Sequence, residues 1–148
     1  MTGRVTVGVA LTLLGTLVGC VQVLRHDQEI AAQKATAFLT AAVVRQDYEA
    51  AYQMVREEDR PTVSQAGFTE AVKASHPSGF PTEVRAMEYE PVPGQAAIQI
   101  FLVGKNDKET FYYRVPLVGT VTSGYFPQGL FRGNKPYPPS ALRQALKG

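Results

Sequence analysis

Few side chains in this chain of 148 residues are of the kinds that make or break bonds, and their positions limit the chemistry open to it. The single cysteine is Cys20, so beyond it there is no disulfide, no thiolate nucleophile and no thiolate metal site. The two histidines are far apart: His26 follows an apolar run, and His76 opens the breaker cluster His76-Pro77-Ser78-Gly79. Neither falls on an apolar face, so both are expected at the surface, and no His/Glu spacing suits zinc. Proton transfer would need a carboxylate or histidine base in an apolar pocket, beside a tyrosine or protonated acid that holds the developing oxyanion. Asp47 is better placed to cap a helix than to serve as that base. Tyr48, Tyr52, Phe68, Tyr89 and Tyr113 are the candidate pocket-lining residues, although aromatic residues on such faces equally suit a core or its rim. Arg85 with Glu83 or Glu88, and Arg114, fit cross-strand ion pairs on a solvent face; an arginine in a ligand pocket is the alternative. Neither the run from Gly124 to Gly129 nor Gly104-Lys105-Asn106-Asp107 leads from a strand into a helix as a phosphate loop does. No catalytic residue, metal or cofactor is assigned.

The charges are balanced, with 15 Lys and Arg against 13 Asp and Glu, and they are scattered rather than blocked. That leaves no basic stripe for phosphates, and nucleic acid is not an expected partner. A hydrophobic fraction of 45% suits one globular core.

From Val5 to Leu24 no residue is charged; Arg4 precedes the run, and Arg25, His26 and Asp27 follow it. Within it Leu17-Val18-Gly19-Cys20 resembles the lipobox of bacterial lipoproteins: an aliphatic residue, a tolerant position, a small residue, then the cysteine to be lipidated. The resemblance implies a signal peptide over residues 1–19, lipid on Cys20 and a tether over residues 20–27. Several hydrocarbon chains on Cys20 would give stable anchoring. The alternative is an uncleaved anchor over residues 5–24, since about 20 residues make roughly 30 Å of helix, enough to cross a bilayer. Both readings place the domain outside the cytoplasm, at the cell envelope.

Asp27 can cap a first helix whose apolar positions Ile30, Ala31, Phe38, Leu39, Ala42 and Val43 form one face, running to about Arg45. Asp47 caps a second, with Tyr48, Ala51, Tyr52 and Val55 on one side. Residues 56–61 read as a solvated loop. Ser64 caps a third helix, with Val63 and Phe68 as a hydrophobic staple and Phe68, Ala71 and Val72 facing the core. Beyond residue 79 the pattern becomes extended, with strands over residues 83–90, 96–103, 110–117 and, less regularly, 120–131. In the third, Phe111, Tyr113, Val115 and Leu117 share one face and Tyr112, Arg114 and Pro116 the other, with Pro116 suggesting a bulge or an edge. Residues 133–148 form a Pro-rich tail in which Ser140 can cap a short terminal helix through Leu142 and Leu146.

Three helices before an antiparallel meander make an α+β fold with helices on one face of a curved sheet of about four strands. The order is similar to the nuclear transport factor 2-like fold over residues 28–132, and in detail to small secreted or lipid-anchored bacterial members. The likeness rests on Ala37-Phe38-Leu39-Thr40-Ala41, on Asp47-Tyr48-Glu49-Ala50-Ala51-Tyr52 and on Ser64 with Phe68. Members often carry a Gly-Trp step in the last strand; this chain has no tryptophan, and Gly124-Tyr125 stands in that place. The resemblance implies a cone-shaped cavity between helices and sheet, which ketosteroid isomerase and scytalone dehydratase use for proton-transfer chemistry. Fold does not carry function. The expectation is a membrane-tethered, non-catalytic module that binds a small apolar ligand or an envelope protein, with a homodimer through the open sheet face as a further expectation. The alternative is a cavity enzyme of the isomerase or dehydratase type using a buried acid–tyrosine pair.

Overall fold

The computed structural model describes residues 24–148. Among them no helix is long and apolar enough to cross a membrane, and the leader with Cys20 lies outside them. The fold is α+β, with helices packed on one face of a six-stranded antiparallel sheet.

Helix α1 (Gln28–Leu39) starts where the Asp27 carboxylate accepts from the N–H groups of Glu29 and Ile30. Ala31, Ala35 and Phe38 recur at helical spacing and are fully buried, whereas Ile30, a position expected to be inward, is 41% exposed. It lies one residue, roughly 100°, off that stripe. The helix continues through a wider turn at Thr40–Val44, and the changed phase lets the consecutive residues Ala41, Ala42 and Val43 all be buried. Gln46 then adopts a left-handed conformation (φ 52°), reversing the chain into α2 (Tyr48–Gln53), which Asp47 caps through the Ala50 N–H. The segment read as a loop is a 3₁₀ turn, Glu57–Thr62, closed by Asp59 accepting from the Arg56 guanidinium. Helix α3 (Gln65–Ala74) begins at Ser64, whose hydroxyl accepts from the Gly67 N–H.

The sheet consists of β1 (Glu83–Pro91), β2 (Ala97–Lys105), β3 (Thr110–Thr120), β4 (Gly124–Pro127), β5 (Phe131–Gly133) and β6 (Gln144–Ala145). Its order is β4-β3-β2-β1-β6, with β5 also paired to β3. Ile98, Ile100 and Leu102 of β2 and Phe111, Tyr113, Val115 and Leu117 of β3 face the helices and are buried. The Pro116 carbonyl accepts from the Gln128 N–H, so its ring nitrogen faces the same neighbour, where the pairing breaks between β4 and β5. In β1 a bulge at Met87 reverses the alternation. Val84 and Ala86 lie opposite Gly104 and Leu102 on the core face before it, while beyond it Glu88 and Glu90 lie opposite Phe101 and Gln99 on the outer face.

That outer face is covered in part by the chain's own C-terminal segment. Instead of the expected short helix, Ser140 starts one turn, its hydroxyl accepting from the Leu142 N–H, and the backbone then joins β1 as β6. Tyr137 packs edge-on against Phe101 at 5.5 Å, and the Arg143 guanidinium lies 3.7 Å over the Phe101 ring. Arg143 also pairs with Glu90 at 3.3 Å, both largely buried. The competition is between the last helical hydrogen bonds and pairing with a free strand edge, and the edge prevails because it also satisfies Met87, whose carbonyl accepts from the Leu146 N–H.

Candidate functional site

Two places bring together residues with chemical potential. The first is inside the core. At the end of α3 the His76 N–H donates to the Lys73 carbonyl, and Gly79 (φ 121°) lets the chain reverse, its N–H donating to the His76 carbonyl. The His76 ring is thereby turned inward: it is 4% exposed, stacked on Phe80 at 4.7 Å and near Phe111 and Tyr113. The expected surface position of His76 is therefore corrected, because the loop folds its ring under the sheet.

The tautomer follows from its partners. Nδ1 lies 2.7 Å from the Val72 carbonyl, which can only accept, so Nδ1 carries the proton; Nε2 then accepts from the Tyr113 hydroxyl, also at 2.7 Å. Burial lowers the His76 pKa below its ordinary 6.5, and the hydrogen bond to Val72 opposes that shift. Burial also pushes the Tyr113 phenol up. Arg132 donates to the Ser75 carbonyl and to Glu109, lies 4.5 Å over Phe111, and adds a positive charge that disfavours imidazolium. The pair has the composition of a base and an oxyanion donor. Its geometry is that of a packed, satisfied hydrogen bond: both ring nitrogens are engaged and both side chains are buried; Tyr113 also borders a cleft of about 360 Å³ with Phe101 and Tyr137, which His76 does not line.

The second place is a cleft of about 360 Å³ between the 3₁₀ turn, α3 and the loop 128–130. Tyr52, Val55, Val63, Phe68 and Leu130 form its apolar walls, with Ala71 exposed beside them. Its charged residues are already engaged. Arg60 donates to the carbonyls of Val55 and Gln53 at the end of α2, and Asp59 holds Arg56. The Tyr52 hydroxyl donates to the Val63 carbonyl at 2.8 Å, tying α2 to the chain entering α3. Without a free charge or an unpaired base, such a cleft can desolvate an apolar molecule but offers nothing to polarise a bond. A larger, more open groove of about 600 Å³ runs between α1 and β1, lined by Glu29, Gln33 and Arg85 beside Ala32, Ala86 and Leu146.

The five candidate pocket-lining residues thus separate. Tyr52 and Phe68 share the cleft, with rings 6.1 Å apart. Tyr113 holds His76. The Tyr89 hydroxyl donates to the Gln144 side chain and fastens β6. Tyr48 is half-buried beneath the Lys73 ammonium, 5.6 Å from its ring. Asp47 acts as the expected cap. His26 is half-buried rather than free, its ring packed at 6.0 Å from Tyr125, and burial lowers its pKa.

Among the described residues no ion pair joins Arg85 or Arg114 to Glu83 or Glu88. Arg114 donates to Gln99 instead and lies 4.6 Å over Phe131. The bulge at Met87 changes which acids reach the outer face, and there Glu90 meets Arg143. Among the described residues no cluster of three or more acidic, histidine or cysteine side chains could hold a metal ion. Sequence reasoning missed the His76–Tyr113 pair, yet one signal pointed to it: an inward tyrosine hydroxyl in an apolar core requires an acceptor. Comparison with protein-family models, with curated proteins and with solved structures finds no match to this chain.

Proposed function

We propose that the chain is a membrane-tethered, non-catalytic binding module of the bacterial cell envelope, whose cleft between the 3₁₀ turn and α3 takes a small apolar ligand. The α+β arrangement is read as a nuclear transport factor 2-like cone with its interior filled by Phe38, Phe111, Tyr113 and their neighbours, and this cleft is a more enclosed recess than the open groove between α1 and β1. The tether is inferred from the uncharged run over residues 5–24 and its lipobox-like Cys20, with an uncleaved helix as the other form of anchor. The observation that carries the reading is the cleft's combination of apolar walls and fully engaged charges. A ligand held there gains by removing apolar surface from water, about 25 cal/mol per Å².

The buried His76–Tyr113 bond is the one observation favouring a cavity enzyme of the isomerase or dehydratase type. It argues less strongly, because a base must reach a substrate proton and this one is sealed among aromatic rings. Titration with N-phenyl-1-naphthylamine, an uncharged fluorophore, tests the proposal. The wild-type chain binds one equivalent with enhanced emission, and Ala71→Trp, which fills the cleft from an exposed position, abolishes binding while keeping the unfolding temperature. Equal binding by both proteins, or none by the wild type, refutes the assignment.

A further inference from the structure

At one end of the sheet both turns lack charged residues, and hydrogen bonds define which end it is. The Asp27 N–H donates to the Tyr125 hydroxyl at 2.7 Å; Tyr125 lies opposite Gly119 in the β3–β4 pairing; and the Gly119 N–H donates to the Ala96 carbonyl at 2.8 Å. The entry into α1, the β3–β4 turn and the β1–β2 turn therefore lie together. No charged residue occurs between Glu90 and Lys105, nor between Arg114 and Arg132, so both turns at this end lack charges. Their tips face outward: Pro93, Gly94, Gln95, Thr122 and Ser123 are exposed, and Val121 is 52% exposed. Leu24, where the described chain begins, is 40% exposed.

The opposite end has the composition usual for turns in water. There the β2–β3 connection carries Lys105, Asp107, Lys108 and Glu109, and Glu83 lies opposite Lys105. Water favours charges at turn tips, whereas the boundary between lipid headgroups and acyl chains accepts Val, Pro and Thr and rejects acids. The charges nearest the uncharged end agree with this contrast. Arg25 is exposed and basic, suited to anionic headgroups. The Asp27 carboxylate is already bound to the first N–H groups of α1, leaving Glu29 as the exposed acid of that turn.

We propose that this end is a membrane-contact face: the β1–β2 and β3–β4 turns rest on the lipid bilayer, with Val121 and Leu24 in the headgroup–acyl boundary and the charged β2–β3 turn pointing away. The inference rests on the membrane-tethered reading and adds an orientation to it. A tether alone would let the domain tumble above the bilayer; this face holds it against the surface.

The absence of tryptophan makes a direct test possible, since any introduced tryptophan is the sole reporter. Full-length Val121→Trp and Lys108→Trp are reconstituted into vesicles of phosphatidylcholine and phosphatidylglycerol, with and without brominated acyl chains. The expected result is flotation of both variants with the vesicles, a blue shift and loss of most emission for Val121→Trp in brominated lipid, and unchanged emission for Lys108→Trp. Thr122→Trp takes the place of Val121→Trp if circular dichroism shows that the latter does not fold. Flotation without quenching at the β3–β4 turn, or equal quenching at both ends, overturns the contact face and leaves the tether standing. Failure to float overturns the tether and the contact face together.

Discussion

Replacing Tyr113 by Phe removes one oxygen from the core and exposes the role of the buried pair. The ring stays, so packing against Phe111 and His76 is retained, but Nε2 of His76 loses its donor. Because Nδ1–H remains bound to Val72, the ring cannot exchange tautomers without losing that bond as well. A buried acceptor left without a partner costs about 1–3 kcal/mol. For a domain of this size that lowers Tm by roughly 4–12 °C. His76→Phe makes the complementary defect, an unpaired hydroxyl on Tyr113. The double variant removes both polar groups, so it is less destabilised than the sum of the two, with a coupling of about 1–2 kcal/mol. Urea unfolding of the four proteins measures that coupling.

The pH dependence supplies a second readout for the same pair. The folded-state pKa of His76 lies below its unfolded value of 6.5, so between the two the unfolded chain binds more protons. Its contribution to stability is complete above about pH 6.5 and is lost as pH falls through the folded pKa. The positive Arg132 adds to this and Glu109 opposes it, while Tyr113 would have to surrender its acceptor. His76→Phe should flatten this part of the stability profile. Additive single substitutions, together with an unchanged fall in stability below pH 6.5 in His76→Phe, would refute the assignment of the pair as a structural hydrogen bond.

Two further substitutions probe the sheet and its cover. Gly119 has φ 122°, and a Cβ there would run into the Gly124 carbonyl oxygen, so Gly119→Ala should cost roughly 2–5 kcal/mol from backbone strain and collision together. Gly94→Ala is the control, because φ is 71° but nothing lies within 4 Å; equal losses in urea midpoint for the two would remove the steric part of the explanation. Arg143→Ala leaves Glu90 largely buried with Ser140 as its remaining partner and uncovers Phe101, which should cost about 2–3 kcal/mol. It should also speed thermolysin cleavage before Leu146, whose N–H is bound to the Met87 carbonyl, and an unchanged cleavage rate would mean that the C-terminal segment is held by other contacts.

Much of the fold was legible because short-range rules determined it. Asp27, Asp47 and Ser64 cap the helices they were expected to cap, since a side-chain oxygen ahead of an apolar stripe has one energetically favoured use. The inward face of β3 follows from strict alternation. What escaped depends on partners remote in sequence. His76 and Tyr113 are 37 positions apart, and a Pro-Ser-Gly loop gives no indication of which way its preceding ring will turn. The bulge at Met87 moves Glu88 and Glu90 to the outer face without any glycine to announce it. Residues 144–145 read as helical by composition and become strand because β1 has an edge to fill.

These differences bear on where binding can occur. A hydrogen bond between two neutral groups, enclosed by Phe80 and Phe111, ties the chain just after α3 to β3, and replacing it with a cavity would expose unsatisfied polar atoms. The interior is thus committed to holding the helices in place. On the outer face, β6 and Tyr137 cover part of the apolar surface that a second copy would otherwise need to bury, so any homodimer through that face must fit around or displace a segment anchored by Arg143 and Glu90. Among the surfaces that retain exposed apolar groups without either obstacle are the cleft beside Phe68 and the uncharged turns near Tyr125. On the proposed reading the turns hold the domain at the bilayer, and the cleft is the recess open to an apolar molecule at that surface.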